Sequence, residues 1–422
     1  MIMFSRVFSN IARFSGQETV VTCLEKSILF LMSVFIFCLP LPFKTALSEI
    51  CFYGSVVLFI VLIAIKKTRP SFDTPLTFPL ALLVFWAVYG IFFALNKENT
   101  LGDIVGHLLK QLSVFYLLIT FFCTIKRFHY LTWIILISSA LFSIGSTVYY
   151  YVIMENAITA RLSLPQIDVG TNYFGYIGIC TITISLIYAA RTSLLYRKML
   201  LLIPLSLAAI TCLLTATRGT ILGITVPLIL LSPKYKALSL VYLVIIVFGV
   251  LFTPAKNFLT PNQLSDKLQT DDRTLIWSVY GKAIEEFPLT GIGFGMQTYD
   301  ETLFRKYNLQ LPTARRVVVN FHGPHNIFVD IAVRLGLMGL LIFLYLIFGF
   351  MRMGWRLIAQ GRDDFIRSWA LGVMVIFVSY LIQGLFSDLF LSAQAIWFFI
   401  VLALMTILYR LNENPDHGTS TV

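Results

Sequence analysis

Charged side chains are what this sequence has least of. Asp, Glu, Lys and Arg make up 13% of its 422 residues and hydrophobic residues 58%, whereas a soluble domain runs near about 25% charged and about 45–50% apolar. That imbalance excludes a soluble globular chain, which could not hide so much apolar surface. Acidic residues are the rarer sign, 21 against 32 basic ones, giving a formal net charge of +11. The surplus does not imply a nucleic-acid partner, because Lys and Arg gather on the cytoplasmic loops of membrane proteins for topological reasons. Cysteine is sparse too: Cys23, Cys38, Cys51, Cys123, Cys180 and Cys212 all lie in or beside apolar stretches, without ligand spacing. They read as packing residues, with neither a disulfide framework nor a zinc site. No cluster of Asp, Glu and His has clear metal spacing, so the chemistry is read as metal-independent and free of cofactors. A nucleotide-binding glycine loop is lacking as well. Gly291-Ile-Gly-Phe-Gly295 follows a helical pattern and reads as a flexible turn. Internal repeats and low-complexity segments are absent.

What is present is a series of long uncharged runs, each near the ~20 residues a helix needs to cross a bilayer. They fall at 27–43, 48–65, 77–95, 106–125, 130–153, 172–190, 199–216, 219–232, 237–253, 325–350, 368–387 and 391–409. The expected fold is therefore an all-α polytopic membrane protein of about 12 transmembrane helices. Residues 1–25 carry Arg6, Arg13 and Glu18 without a long apolar run or cleavage site, and read as a cytoplasmic lead-in. With the N-terminus inside, the basic connections around Lys66, Lys126, Arg191, Lys234 and Arg352 all fall on the cytoplasmic face. Both termini are then cytoplasmic. The chain divides into 1–253 (about nine spans), a large periplasmic loop at 254–324, 325–409 (about three spans) and a tail at 410–422.

Within the loop, Leu275, Ile276, Val279, Tyr280, Ala283, Ile284 and Phe287 recur at helical spacing. The pattern predicts an amphipathic helix over 273–287, capped by Asp271 or Asp272, ended by Pro288 and Gly291, and lying on the outer membrane face or over a cavity. Where the loop meets the next span, His325 follows Pro324 and precedes Asn326. An imidazole near water yet shielded on one side suits a general base; a plain helix cap is the alternative. Asp330 and Arg334 stand i, i+4 on the same helix and can pair in the apolar zone. Gly336 and Gly339, one turn apart, permit close packing against a neighbouring helix. Lys110 reads as snorkelling or paired, and His107 as packing.

Three stretches carry a family resemblance. His325-Asn326, nine residues, Gly336, two residues and Gly339 form the first; Thr215-Ala-Thr-Arg218-Gly219 is the second. The third is Arg273, Trp277, then Glu286-Phe-Pro288-Leu-Thr-Gly291-Ile-Gly293-Phe-Gly295. Together they resemble the motifs of the bacterial O-antigen ligase and polymerase superfamily. The resemblance implies a GT-C-like membrane glycosyltransferase in the cell inner membrane with a periplasmic active site. The donor would be an undecaprenyl-diphosphate-linked glycan and the acceptor, in a ligase, a hydroxyl of lipid A-core. His325 would take the acceptor proton, Arg218 and Arg273 would stabilise the departing diphosphate, and Asn326 would orient the base or donor. Arg315, Arg316 and Arg161 are further phosphate-binding candidates, each equally readable as a solvated charge. His322 is the rival base.

One large loop with the others short leans towards ligase over polymerase. A protein-glycosylating relative would carry a further C-terminal domain, whereas this chain ends shortly after Arg410. A transporter of similar span number would show paired halves, which are not visible here.

Overall fold

The computed structural model describes residues 2–41, 45–65, 72–164, 170–255, 273–313, 316, 323–387 and 394–413, with side chains from 20 to 41 and from 46 onward. Among the described residues the regular structure is helical. In chain order the helices are α1 (Ile2–Cys38), α2 (Thr45–Ala64), α3 (Thr77–Gly90), α4 (Lys97–Asp103), α5 (Leu109–Phe121) and α6 (Ile125–Val148). They continue with α7 (Thr171–Arg191), α8 (Leu195–Leu214), α9 (Arg218–Leu231), α10 (Lys236–Phe252) and α11 (Arg273–Glu286). The last four are α12 (Glu301–Gln310), α13 (Ile327–Gln360), α14 (Asp364–Gly384) and α15 (Gln394–Glu413).

Nine stretches among these are long and apolar enough to cross a membrane. Of the other expected spans, 77–95 is shorter as a helix, 14 residues in α3, while 219–232 and 237–253 keep their expected 14 and 17 residues as α9 and α10, each shifted by one residue. The span expected at 106–125 starts earlier, because the Asn96 side chain caps a polar turn by accepting from Asn99 N–H at 2.9 Å. A π turn at Ile104–Leu108 then joins α4 to α5. Burial sorts core from periphery: the apolar stretch of α7 is 89% buried and that of α15 78%, against 22% for α2. Four of the six cysteines are buried and all are free thiols. Lys110 pairs with Glu49, and its ammonium lies 5.4 Å from the Phe52 ring. His107 does not simply pack, standing 3.5 Å from the Asp103 carboxylate.

The amphipathic helix of the loop is α11. Its apolar face does not lie on a membrane surface. Ile276, Val279, Tyr280 and Ala283 are covered by Ile292, Tyr299, Phe304, Tyr307 and Leu311 of the same loop and by Val333 of α13, a second apolar core. Tyr280 and Tyr299 stack with ring centres 4.2 Å apart, and Lys306 of α12 reaches Glu286 of α11 at 2.7 Å. Enough apolar side chains follow α11 within the loop to satisfy its face without lipid.

This small core is fastened to the bundle through a break in α13. Gly336 takes φ 69° and ψ −178° inside the helix, which leaves the preceding carbonyls without their i+4 partners. The loop supplies those partners. Ile292 N–H donates to Val333 O at 2.9 Å and Gly293 N–H to Arg334 O at 3.0 Å. Trp86 of α3 donates its indole N–H to Leu335 O at 2.8 Å, and Leu337 N–H turns to Pro288 O at 2.8 Å. The expected role of Gly336 in helix–helix packing is corrected accordingly. A Cβ on it would stand 2.1 Å from Leu289 O, so the loop backbone fills that place. At Gly339 the near neighbour is Leu335 of its own helix, at 2.1 Å from such a Cβ. Asp330 and Arg334 do pair, Nε to Oδ1 at 2.7 Å with both side chains buried, and Arg334 Nη1 also donates to Gly295 O.

Candidate functional site

Three helices begin close together at the loop end of the bundle, and each begins at or beside a residue singled out above. The first is α9, whose opening residue is Arg218. Ahead of it Ala216 is held at φ 45°, a left-handed conformation that costs an alanine about 1–3 kcal/mol and persists only where the surroundings enforce it. Arg161 provides that enforcement. Its Nε donates to Thr215 O at 2.6 Å, and its Nη2 to Thr217 Oγ1 at 3.0 Å and Thr171 Oγ1 at 3.3 Å. The guanidinium expected to bind phosphate is therefore engaged in shaping the turn that presents Arg218.

The second is α11, opening at Arg273. This guanidinium lies 5.0 Å from the ring centre of Phe386, within cation–π range. One turn on, Trp277 Nε1 donates to Pro324 O at 2.9 Å and ties α11 to the turn ahead of the third helix.

That third helix is α13. His325 stands just before it at φ 50°, another non-glycine residue in left-handed geometry. Asn326 is the N-cap: its Oδ1 accepts from Phe328 N–H at 3.0 Å and Val329 N–H at 3.3 Å, and the residue is 8% exposed. A buried cap, not a substrate contact, is where the structure puts the Asn326 carbonyl. Arg218, Arg273 and His325 are all half-buried, sheltered yet reachable.

What draws the three starts together is the last turn of α14 and the residues just after it, 383–387, which the sequence reading treated only as the end of a span. A Cβ on Gly219 would lie 2.8 Å from Phe386 Cβ, so α9 and Phe386 are in close contact there. Ile327 of α13 packs on Gly384, 3.1 Å from where its Cβ would be. Gln383 is fully buried and donates through Nε2 to Asn172 O at 2.7 Å. It fits only because Gly175 of α7 has no side chain: a Cβ there would stand 2.4 Å from Gln383 Oε1 and 2.5 Å from Thr220 Oγ1. Ser387 Oγ meets Tyr176 Oη at 2.6 Å. Gln383 Oε1, Thr220 Oγ1 and Asn172 Oδ1 are buried without a protein partner among the described residues, a polar floor where an apolar one would be cheaper. Gln383 and Ser387, polar and four apart in an apolar run, are the signal that could have drawn attention to this turn.

The remaining candidates fall elsewhere. Arg316 donates to Leu311 O and Leu309 O, each at 3.1 Å, and so closes the end of α12 with the guanidinium expected in a phosphate clamp. Arg315 and His322 lie outside the described residues, as do Asp271 and Asp272. Among the described residues no three His, Cys, Asp or Glu side chains are grouped as metal ligands.

Chemically, the site joins two half-buried guanidiniums on separate helix starts to an imidazole on a third, over a polar floor. Such a set can stabilise an oxyanion that builds up on a leaving group while a base removes a proton from an attacking hydroxyl. Residues 203–344 match the family model described as O-antigen ligase, a stretch that contains Arg218, Arg273 and His325. The resemblance to the O-antigen ligase and polymerase superfamily thus holds. Comparison with curated proteins gives no match.

Proposed function

With an O-antigen ligase domain at residues 203–344 as the starting point, we propose that this chain is an O-antigen ligase of the cell inner membrane. It moves a glycan from undecaprenyl diphosphate to a hydroxyl of lipid A-core on the periplasmic side. The observation that carries the reading is the meeting of the starts of α9, α11 and α13 on one turn of α14, which gathers Arg218, Arg273 and His325 from separate parts of the chain.

The reaction follows from the groups present. The acceptor oxygen attacks the anomeric carbon and its proton passes to the His325 imidazole. The bond from that carbon to the diphosphate oxygen breaks, the electron pair leaves with the diphosphate, and the configuration inverts. Arg218 and Arg273 hold the charge that accumulates there, gripping phosphate oxygens as forks. Because the diphosphate is already a good leaving group, the mechanism needs neither nucleotide nor metal. In this reading α3, α9 and α10 also cross the bilayer, making about twelve spans in a GT-C-like arrangement with both termini cytoplasmic.

The test is lipopolysaccharide profiling of a strain lacking the protein and complemented with wild type or His325→Ala. Bare lipid A-core with long glycan held on undecaprenyl diphosphate, unrescued by His325→Ala, supports a ligase. Single repeat units still reaching the core, with only chain length lost, would make the enzyme a polymerase.

A further inference from the structure

We infer that Phe386 is a positioning residue: its ring is the shared platform that fixes Arg273 relative to the start of α9, so that two guanidiniums act on one diphosphate. The inference rests on the reading above of Arg218 and Arg273 as diphosphate ligands.

Two contacts define the platform. On one side the Arg273 guanidinium lies 5.0 Å from the ring centre. On the other, Gly219 comes so close that a Cβ on it would be 2.8 Å from Phe386 Cβ. Gly219 directly follows Arg218 in the chain, so this contact seats the start of α9 against Phe386. The ring is itself anchored. Phe386 N–H donates to Gln383 O at 2.9 Å, and Gln383 is wedged between Gly175 and Gly223 with its amide on Asn172 O. The platform is thus packed into the helix bundle, whereas Arg273 belongs to the loop that follows α10.

That difference gives the ring its use. A long arginine side chain loses much rotamer freedom when fixed, and a fork that is already oriented loses less on binding. An aromatic face orients a guanidinium through the ring quadrupole and does not itself accept the N–H hydrogen bonds that a phosphate oxygen would take. The competing account is that Phe386 merely fills space between α9 and α11.

The experiment separates the two through the shape of the side chain. Purified full-length protein would be assayed with a polyprenyl-diphosphate-linked glycan and lipid A-core as Phe386→Tyr, Phe386→Leu and Phe386→Met, each with and without Arg273→Ala. Tyr keeps the aromatic face and is expected within about threefold of wild type; Leu and Met keep apolar bulk only and are expected to lose about tenfold in kcat/KM for the donor. In the Arg273→Ala background the Leu substitution should cost little more, because its effect passes through Arg273. Thermal midpoints identify any variant that fails to fold, and Leu and Met substitute for one another in that event. Equal activity of Leu and wild type, equal damage by Tyr and Leu, or full additivity with Arg273→Ala would each overturn the platform. If instead Arg218→Ala and Arg273→Ala both ligate normally, the diphosphate reading fails first.

Discussion

Trp277 Nε1 donates to the carbonyl oxygen of Pro324 at 2.9 Å, joining positions 47 residues apart across the long loop. The bond sits one turn after Arg273 and one residue before His325, so it sets how the proposed phosphate ligand and base face each other. Pro324 has no N–H of its own to give, and its carbonyl is the handle that remains. Trp277→Phe keeps the apolar ring and removes only the donor. A single hydrogen bond is worth about 1 kcal/mol net, so turnover should fall roughly fivefold with the thermal midpoint shifted by only a few degrees. Full activity in Trp277→Phe would show that the two segments are aligned by other contacts.

The break in α13 makes a sharper prediction about glycines. Gly336 has φ 69° and no room for a Cβ against Leu289 O; Gly291 has φ 68°, and a Cβ there would stand 2.4 Å from the Arg334 backbone. Gly281, within α11, has nothing within 4 Å of its would-be Cβ. Alanine at 336 or 291 should push the loop out of the break and abolish activity. Alanine at 281 should stabilise the protein by about 0.5–1 kcal/mol, because helix interiors favour it over glycine. Thermal unfolding in detergent and limited proteolysis of the loop would test all three, and a well-tolerated Gly336→Ala would contradict the break.

The two kinds of glycine explain what the sequence could reveal. Apolar runs locate helices, and the spacing of Ile276, Val279, Tyr280 and Ala283 identified α11 almost to the residue, because periodicity is local. The pairing of Asp330 with Arg334 was legible for the same reason. Gly336 was not: glycine is common in membrane helices, and nothing nearby in sequence says that a strap some 45 positions upstream fills the gap it makes. The last turn of α14 was opaque because its partners lie about 110 to 210 positions away, at Arg273, Gly219 and Gly175. Arg161 and Arg316 show a different limit. A sequence gives their charge but not whether the protein's own carbonyls already use it.

Asp330 and Arg334 offer a test of the fastening itself. The carboxylate is 4% and the guanidinium 10% exposed, so removing one partner leaves a buried charge. Breaking such a pair typically costs about 3–5 kcal/mol, while replacing both with apolar groups costs far less. Asp330→Leu alone should therefore lower the thermal midpoint more than Asp330→Leu with Arg334→Met. The double variant should still lose activity, because the bond from Arg334 to Gly295 O goes with it. A double variant as unstable as the single one would show that the pair is not the term that matters.

The last prediction concerns His325, where backbone and chemistry make separate demands. Its φ of 50° is one that asparagine tolerates better than alanine. His325→Asn and His325→Ala both remove the proposed base and should both lose about 10²–10⁴-fold in turnover. They should differ in stability, with the alanine variant melting lower, since it must hold the strained turn without an asparagine's local hydrogen bonds. Donor binding should survive in both, because the proposed phosphate ligands are untouched; a fluorescent polyprenyl-diphosphate analogue would measure it. His322→Ala supplies the control, three residues away and keeping most of the activity if His325 is the base. Should His325→Asn retain more than about a tenth of wild-type turnover, or His322→Ala be the inactive variant, the proton would have to leave by another route.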